Sequence, residues 1–146
     1  MPNPYENYGI FDYLSDMPIT DIPRFFTSGH IGYYNDAPQM IERLRPELAG
    51  PRVDRNLQDQ MLNFIGGYDM VARGMDPERA VQGARAYQAK DYFIDGRKQD
   101  AIGDYEENAA GARAYNPEQG RLSDEALIDL AVQFARDRMA QSQRTD

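Results

Sequence analysis

One pentapeptide occurs twice in this chain, and its spacing limits the fold more than any other feature. Gly83-Ala84-Arg85-Ala86-Tyr87 returns as Gly111-Ala112-Arg113-Ala114-Tyr115, with Asp76 matched by Asp104 and Glu78 by Glu106 at the same offset. Each copy reads as a helix. Asp76 offers a capping carboxylate, Pro77 gives up no needed donor at the first helical position, and Glu78 meets the positive end of the dipole. Gly103 followed by Asp104, with Glu107 three residues on, predicts a second start of capping-box type. Helical side chains lean toward the N-terminus, so Tyr87 and Tyr115 are expected to lie back over their glycines, with Arg85 and Arg113 on the far side.

A glycine inside a helix costs about 1 kcal/mol relative to alanine. Gly83 and Gly111, set among Ala80, Ala84, Ala109 and Ala112, therefore predict helices that touch backbone to backbone. Two units fall short of the roughly three repeats that a solenoid needs. The expectation is a helix pair, set against chance similarity in an Ala- and Arg-rich segment.

The rest of the chain supplies partners for that pair. Asp36 with Gln39 predicts a helix start, with Met40, Ile41, Leu44 and Leu48 as the apolar stripe and Pro46 as a kink or an end. Asp54 predicts the next cap. Leu57, Met61, Ile65 and Tyr68 follow at three- and four-residue steps, and Gly66-Gly67 marks a bend or a close approach. The helix from Asp76 is expected to run to a cap at Gly96, with residues 97 to 102 as a connection. The second copy is expected to stop at Asn116-Pro117. Ser123 is the last N-cap, Leu122 and Leu127 stand in the hydrophobic-staple relation, and Leu127, Leu130, Ala131 and Phe134 form the predicted buried stripe. The fold class is all-α, with about five helices in a compact bundle. The predicted divisions are an N-terminal arm over 1–35, a helical domain over 36–141 and a polar tail over 142–146.

Residues 1–35 differ in character from the rest of the chain. Tyr5, Tyr8, Phe11, Tyr13, Phe25, Phe26, Tyr33 and Tyr34 sit among Pro2, Pro4, Pro18 and Pro23, with no sustained period beyond a short turn at Phe11–Leu14. So aromatic a segment is unlike a disordered tail. It reads as an extended arm that lays rings into grooves, on its own core or on a neighbour.

With 146 residues the chain is expected to be one domain. A net charge of −8 argues against binding nucleic acid directly, which needs a basic footprint. The absence of cysteine excludes disulfides, thiolate metal sites and cysteine nucleophiles. No basic and apolar leader is visible, so secretion by a signal peptide is not expected, and no apolar run suits a membrane span. The expected location is cytoplasmic or within a virion.

A search for chemistry gives little. His30, the one histidine, follows Ser28-Gly29, but a nucleophile–base reading lacks an orienting group and oxyanion donors. Asp91 and Asp95, and Asp100 and Asp104, are each four apart and could hold a cation or share a proton, yet no Glu-x-x-His motif accompanies them. Gly66-Gly67 lacks the Lys and Ser or Thr of a phosphate loop. No catalytic, cofactor-binding or metal residue is designated, and no cofactor is expected.

Asp104-x-x-x-Asn108-x-x-Gly111, followed by Leu122-Ser123-Asp124-Glu125-Ala126-Leu127, resembles a helical pattern of phage-encoded proteins and polymorphic-toxin C-terminal domains. The resemblance covers residues 104–139. Those proteins usually carry a histidine ahead of a Phe and a Gly in an upstream helix, where this chain has Asn63-Phe64-Ile65-Gly66. It implies a phage or mobile-element origin and, without that histidine, points away from an active enzyme. The expected function is non-catalytic protein–protein interaction or assembly, through contact with copies of itself or a larger protein, as in a small phage or virion structural protein. Two alternatives stand beside it: an effector or hydrolase-like domain using Asp104, Asn108 and His30, and an acidic inhibitor of a nucleic-acid-binding protein.

Overall fold

Two glycines on different helices set the centre of the molecule, and only one of them belongs to the repeated pentapeptide. The computed structural model describes residues 3–16 and 30–145, with side chains described for 3–16 and 36–144. Phe25, Phe26 and the side chains of His30, Tyr33 and Tyr34, all aromatic or imidazole groups of the arm, lie outside the described residues. The described chain is all-α: α1 (Ile10–Asp16), α2 (His30–Leu44), a 3-10 turn (Pro46–Leu48), α3 (Arg55–Ala72), α4 (Pro77–Phe93), α5 (Lys98–Ala114) and α6 (Asp124–Thr145).

Helix α3 is the central element. From Gln60 to Val71 it is buried except at Leu62, so it is packed nearly all round. Its largest interface is with α5, followed by those with α6 and α2. At the α3–α5 crossing, a Cβ on Gly67 would lie 1.9 Å from the Asn108 carbonyl oxygen, and one on Gly111 would lie 1.8 Å from that of Phe64. The arrangement is reciprocal: each glycine faces the carbonyl three residues before the other glycine and the amide nitrogen one residue after it, Ala112 N and Tyr68 N respectively. The expected backbone contact therefore exists at Gly111, but its partner is Gly67. Of the alternatives left open for Gly66-Gly67, the close approach is the one found. Gly83 is buried within α4, and α4 packs against α5 through a cluster of small residues that includes Ala80, Ala86, Ala109 and Ala112.

Several local signals act as expected. Asp54 accepts from Asn56 N at 2.8 Å. Asp76 accepts from Arg79 N at 3.2 Å with Pro77 next to it. Ser123 Oγ accepts from Ala126 N at 3.2 Å, and Leu122 and Leu127 pack in the same cluster. Helix α4 ends at Phe93 with Ile94 as its cap, three residues short of the expected Gly96. Gly96 takes a φ of +72° in the turn that follows, and Arg97 N closes back on the Asp91 carbonyl at 2.9 Å.

Other boundaries differ. Helix α2 begins at His30, so Asp36 lies inside it and caps nothing. Helix α5 begins at Lys98, so Asp104 lies in its second turn and is not a cap. The reason is burial: Ala101 is fully buried on one side of Gly103, and Glu107 and Asn108 on the other. The roughly 1 kcal/mol cost of Gly103 cannot outweigh that packing. Tyr115 does not cover its glycine as expected. Tyr87 is exposed, while Tyr115 has left the helix and meets the Tyr68 ring edge-on at 5.5 Å. On α6, Leu130 is exposed, and Ile128, Val132 and Ala135 join Leu127 and Ala131 in the core. Helix α6 continues through the predicted polar tail to Thr145.

The described part of the arm lies against α4 and α5. Tyr5 is buried; its hydroxyl donates to the Arg85 carbonyl at 2.6 Å, and its ring stacks on Tyr92 at 4.6 Å. Arg85 donates through Nε and Nη2 to both oxygens of buried Asp16 at 2.7 and 2.9 Å, and its guanidinium lies 4.9 Å over the Tyr8 ring. Tyr8 donates to the same carboxylate at 3.0 Å. Replacing Asp16 with alanine is expected to loosen this clasp by roughly 2 kcal/mol, the range of charge-assisted hydrogen bonds. Hydrogen exchange should then show α1 losing protection while the α3 amides keep theirs. Equal protection in both proteins would contradict the assignment.

Candidate functional site

Helical spacing places Asp104 and Glu107 of α5 three residues apart, on one face and one turn from each other. Opposite them, Asn63 of α3 donates its amide to both, at 2.9 Å to Asp104 Oδ1 and 3.1 Å to Glu107 Oε1. Arg138 of α6 lies 3.9 Å from Glu107 Oε2 and donates at 3.1 Å to Glu106. Asp104, Glu107 and Arg138 line a cleft of about 570 Å3 together with Asp59, Asp91, Asp100, Gln60 and Arg97, whereas Asn63 is not among its lining residues. The lining carries five carboxyl groups against two guanidinium groups.

Burial dominates the electrostatics. It pushes the Asp104 carboxyl up to about 6, opposed by the Asn63 hydrogen bond and reinforced by the negative charges of Asp100, Asp59 and Asp91. It pushes Glu107 up to about 7, opposed by Asn63 and Arg138 and reinforced by Asp104 and Asp59. Two carboxyl groups that hold and release protons near neutrality thus share one amide. Among the described residues, no three His, Asp or Glu side chains converge as metal ligands.

The sequence candidates are partly assembled and partly dispersed. Asp91, Asp100 and Asp104, taken from two different predicted pairs, share the cleft, whereas Asp95 pairs with Lys90 at 3.3 Å. Asn108 is 1% exposed and is not among the lining residues. Its amide donates to the Asp104 carbonyl at 2.8 Å, and its own carbonyl is the one Gly67 faces. The backbone of His30 opens α2, but its side chain is outside the described set.

Sequence reasoning missed Asn63, Gln60, Asp59, Glu107 and Arg138 as members of one site. A usable signal was present: Gln60 and Asn63 are polar residues within the buried stretch of α3, as is Asp69, and buried amides need partners. Asn63 lies directly against Asp104. Among the described residues, no helix is long and apolar enough to cross a membrane. No protein-family model, curated protein or solved structure matches the chain.

Proposed function

We propose that this protein is a non-catalytic interaction and assembly component that makes contact with copies of itself or with a larger protein. The observation that carries the reading is the outer face of α1, where Ile10, Phe11 and Leu14 are exposed, Phe11 to 83%. Large apolar side chains gathered on one short helix are favoured at protein interfaces. Phe93 and Ile94, exposed at the end of α4, extend the apolar surface that the chain offers. A phage or virion setting is the reading that the pattern over residues 104–139 supports. The charge of −8 supports a protein partner in preference to nucleic acid.

Light scattering coupled to size exclusion tests this. The wild-type protein is expected to self-associate, and Phe11→Asp with Leu14→Asp should weaken that association by about 2 kcal/mol, or about thirtyfold, with the circular dichroism unchanged. A wild-type monomer, with no partner protein that binds it and is lost on the variant, overturns the reading.

A second reading has one observation in its favour: Asp104 and Glu107 titrate near neutrality in a cleft, as an acid–base pair would. On that effector or hydrolase-like reading, Asp104→Asn abolishes an activity while the fold is retained.

A further inference from the structure

The cleft holds an acceptor with nothing to accept. Gln60 is 5% exposed, lines the cleft and has no hydrogen-bond partner at Oε1. Its amide nitrogen is committed to Asn56 Oδ1 at 3.2 Å, which orients the carbonyl end as the free one. An unsatisfied buried carbonyl is costly unless a donor completes it. The surrounding groups are mainly acceptors as well. Asp59 enters from α3, Asp91 from α4, and Asp100, Asp104 and Glu107 from α5. Of the two positive groups, Arg138 is engaged by Glu106 and Glu107, and the charge of Arg97 also acts on Asp95.

We propose that this cleft binds an ammonium or guanidinium group, its N–H donors shared between the Gln60 carbonyl and the carboxylates of Asp104, Asp100 and Asp59. Five carboxyl groups against two guanidinium groups disfavour an anion. Among the described residues no three ligands converge, which disfavours a divalent metal, since that needs several oxygens at short range. An ammonium group fits instead: it is monovalent, carries several donors and tolerates spread-out acceptors. Burial and like charge keep protons on Asp104 and Glu107. A bound cation opposes that effect, so binding releases protons between about pH 6 and 7. The cleft lies on α3, α4, α5 and α6 and does not depend on whether α1 mediates assembly.

The same chemistry is carried by a free polyamine and by a lysine side chain of a protein, and two probes separate them. Titrating the full-length protein with 1,4-diaminobutane and with Nα-acetyl-lysine amide at pH 6.5, followed by amide chemical shifts, should give saturable changes at residues 56–63 and 100–107. Calorimetry in buffers of different ionisation enthalpy should report proton release. Binding of the diamine alone identifies a polyamine site, and equal or tighter binding of the lysine amide identifies a protein side chain. Gln60→Leu and Asp104→Asn should each weaken binding about tenfold, as expected for loss of one charge-assisted hydrogen bond. Sodium chloride at matched ionic strength should not reproduce the shifts. No saturable change with either probe, equal shifts with sodium chloride, or unaltered affinity in both variants overturns the proposal.

Discussion

Gly111→Ala is expected to destabilise the protein by about 3 kcal/mol or more, against the usual direction of a glycine-to-alanine change in a helix. Helix propensity alone favours alanine by about 1 kcal/mol. The new methyl would sit 1.8 Å from the Phe64 oxygen and 2.9 Å from the Tyr68 nitrogen. These are backbone atoms of a packed helix, so no side chain can turn away to make room. The α3–α5 interface must separate, and overpacking of a well-packed interior costs about 1–3 kcal/mol, sometimes more. Gly67→Ala should behave alike, because its contacts mirror those of Gly111.

Gly103 supplies the control within the same helix. Its added methyl would meet only Glu107 Oε2 at 3.6 Å and an Arg138 nitrogen at 3.8 Å, which is ordinary contact. Gly103→Ala is therefore expected to gain about 0.5–1 kcal/mol. Urea unfolding followed by circular dichroism should show opposite signs for the two substitutions. In a chain this size, the loss at Gly111 would lower the melting temperature by roughly 6–12 °C. A neutral or stabilising Gly111→Ala would mean that the crossing is not the tight one described.

Glu107→Gln is expected to stabilise the protein by roughly 2–3 kcal/mol at pH 8 and to have almost no effect below about pH 4.5. The carboxyl is raised from its ordinary 4.5 to about 7 in the fold, so the folded state holds the proton more tightly than the unfolded chain does. Stability from this group is complete below about pH 4.5 and is lost as pH rises through about 7. Glutamine stays neutral throughout and cannot lose it, while still accepting from Asn63. Asp104, raised from 3.8 to about 6, adds a smaller loss of the same sign in a lower window. The difference between the two proteins, measured by urea unfolding across pH, reports Glu107 together with its coupling to Asp104. A difference that does not change with pH would refute the assignment.

The helices were legible where the determinants are local. Asp54, Asp76 and Ser123 cap the helices they were expected to cap, because a cap is decided within three residues of the chain. Gly111 was legible as a close-contact signal for a similar reason: a helix does not keep a costly residue unless something stands against it. Boundaries moved where a local signal competed with its surroundings. Gly103-Asp104 carries good start chemistry, yet burial of Ala101 and Asn108 carries α5 straight through it. Asp36 is passed over in the same way by a helix that starts at His30.

The cleft was legible only in fragments. Asp91, Asp100 and Asp104 were each visible as candidates, but their grouping with Asp59, Gln60, Asn63 and Arg138 joins four helices. Glu107, which reads locally as the far end of a capping box, is instead the most deeply buried carboxylate of the site.

By itself, the sequence determined that this chain is helical, where three of its helices begin, and that some of its helices must meet through glycine. Those properties follow from hydrogen bonding and sterics over a few neighbouring residues. Only the tertiary structure decided that Gly111 meets Gly67, and that carboxyl groups from three helices face a buried amide. Partner choice and pKa depend on distances between residues far apart in the chain, and packing alone sets those distances.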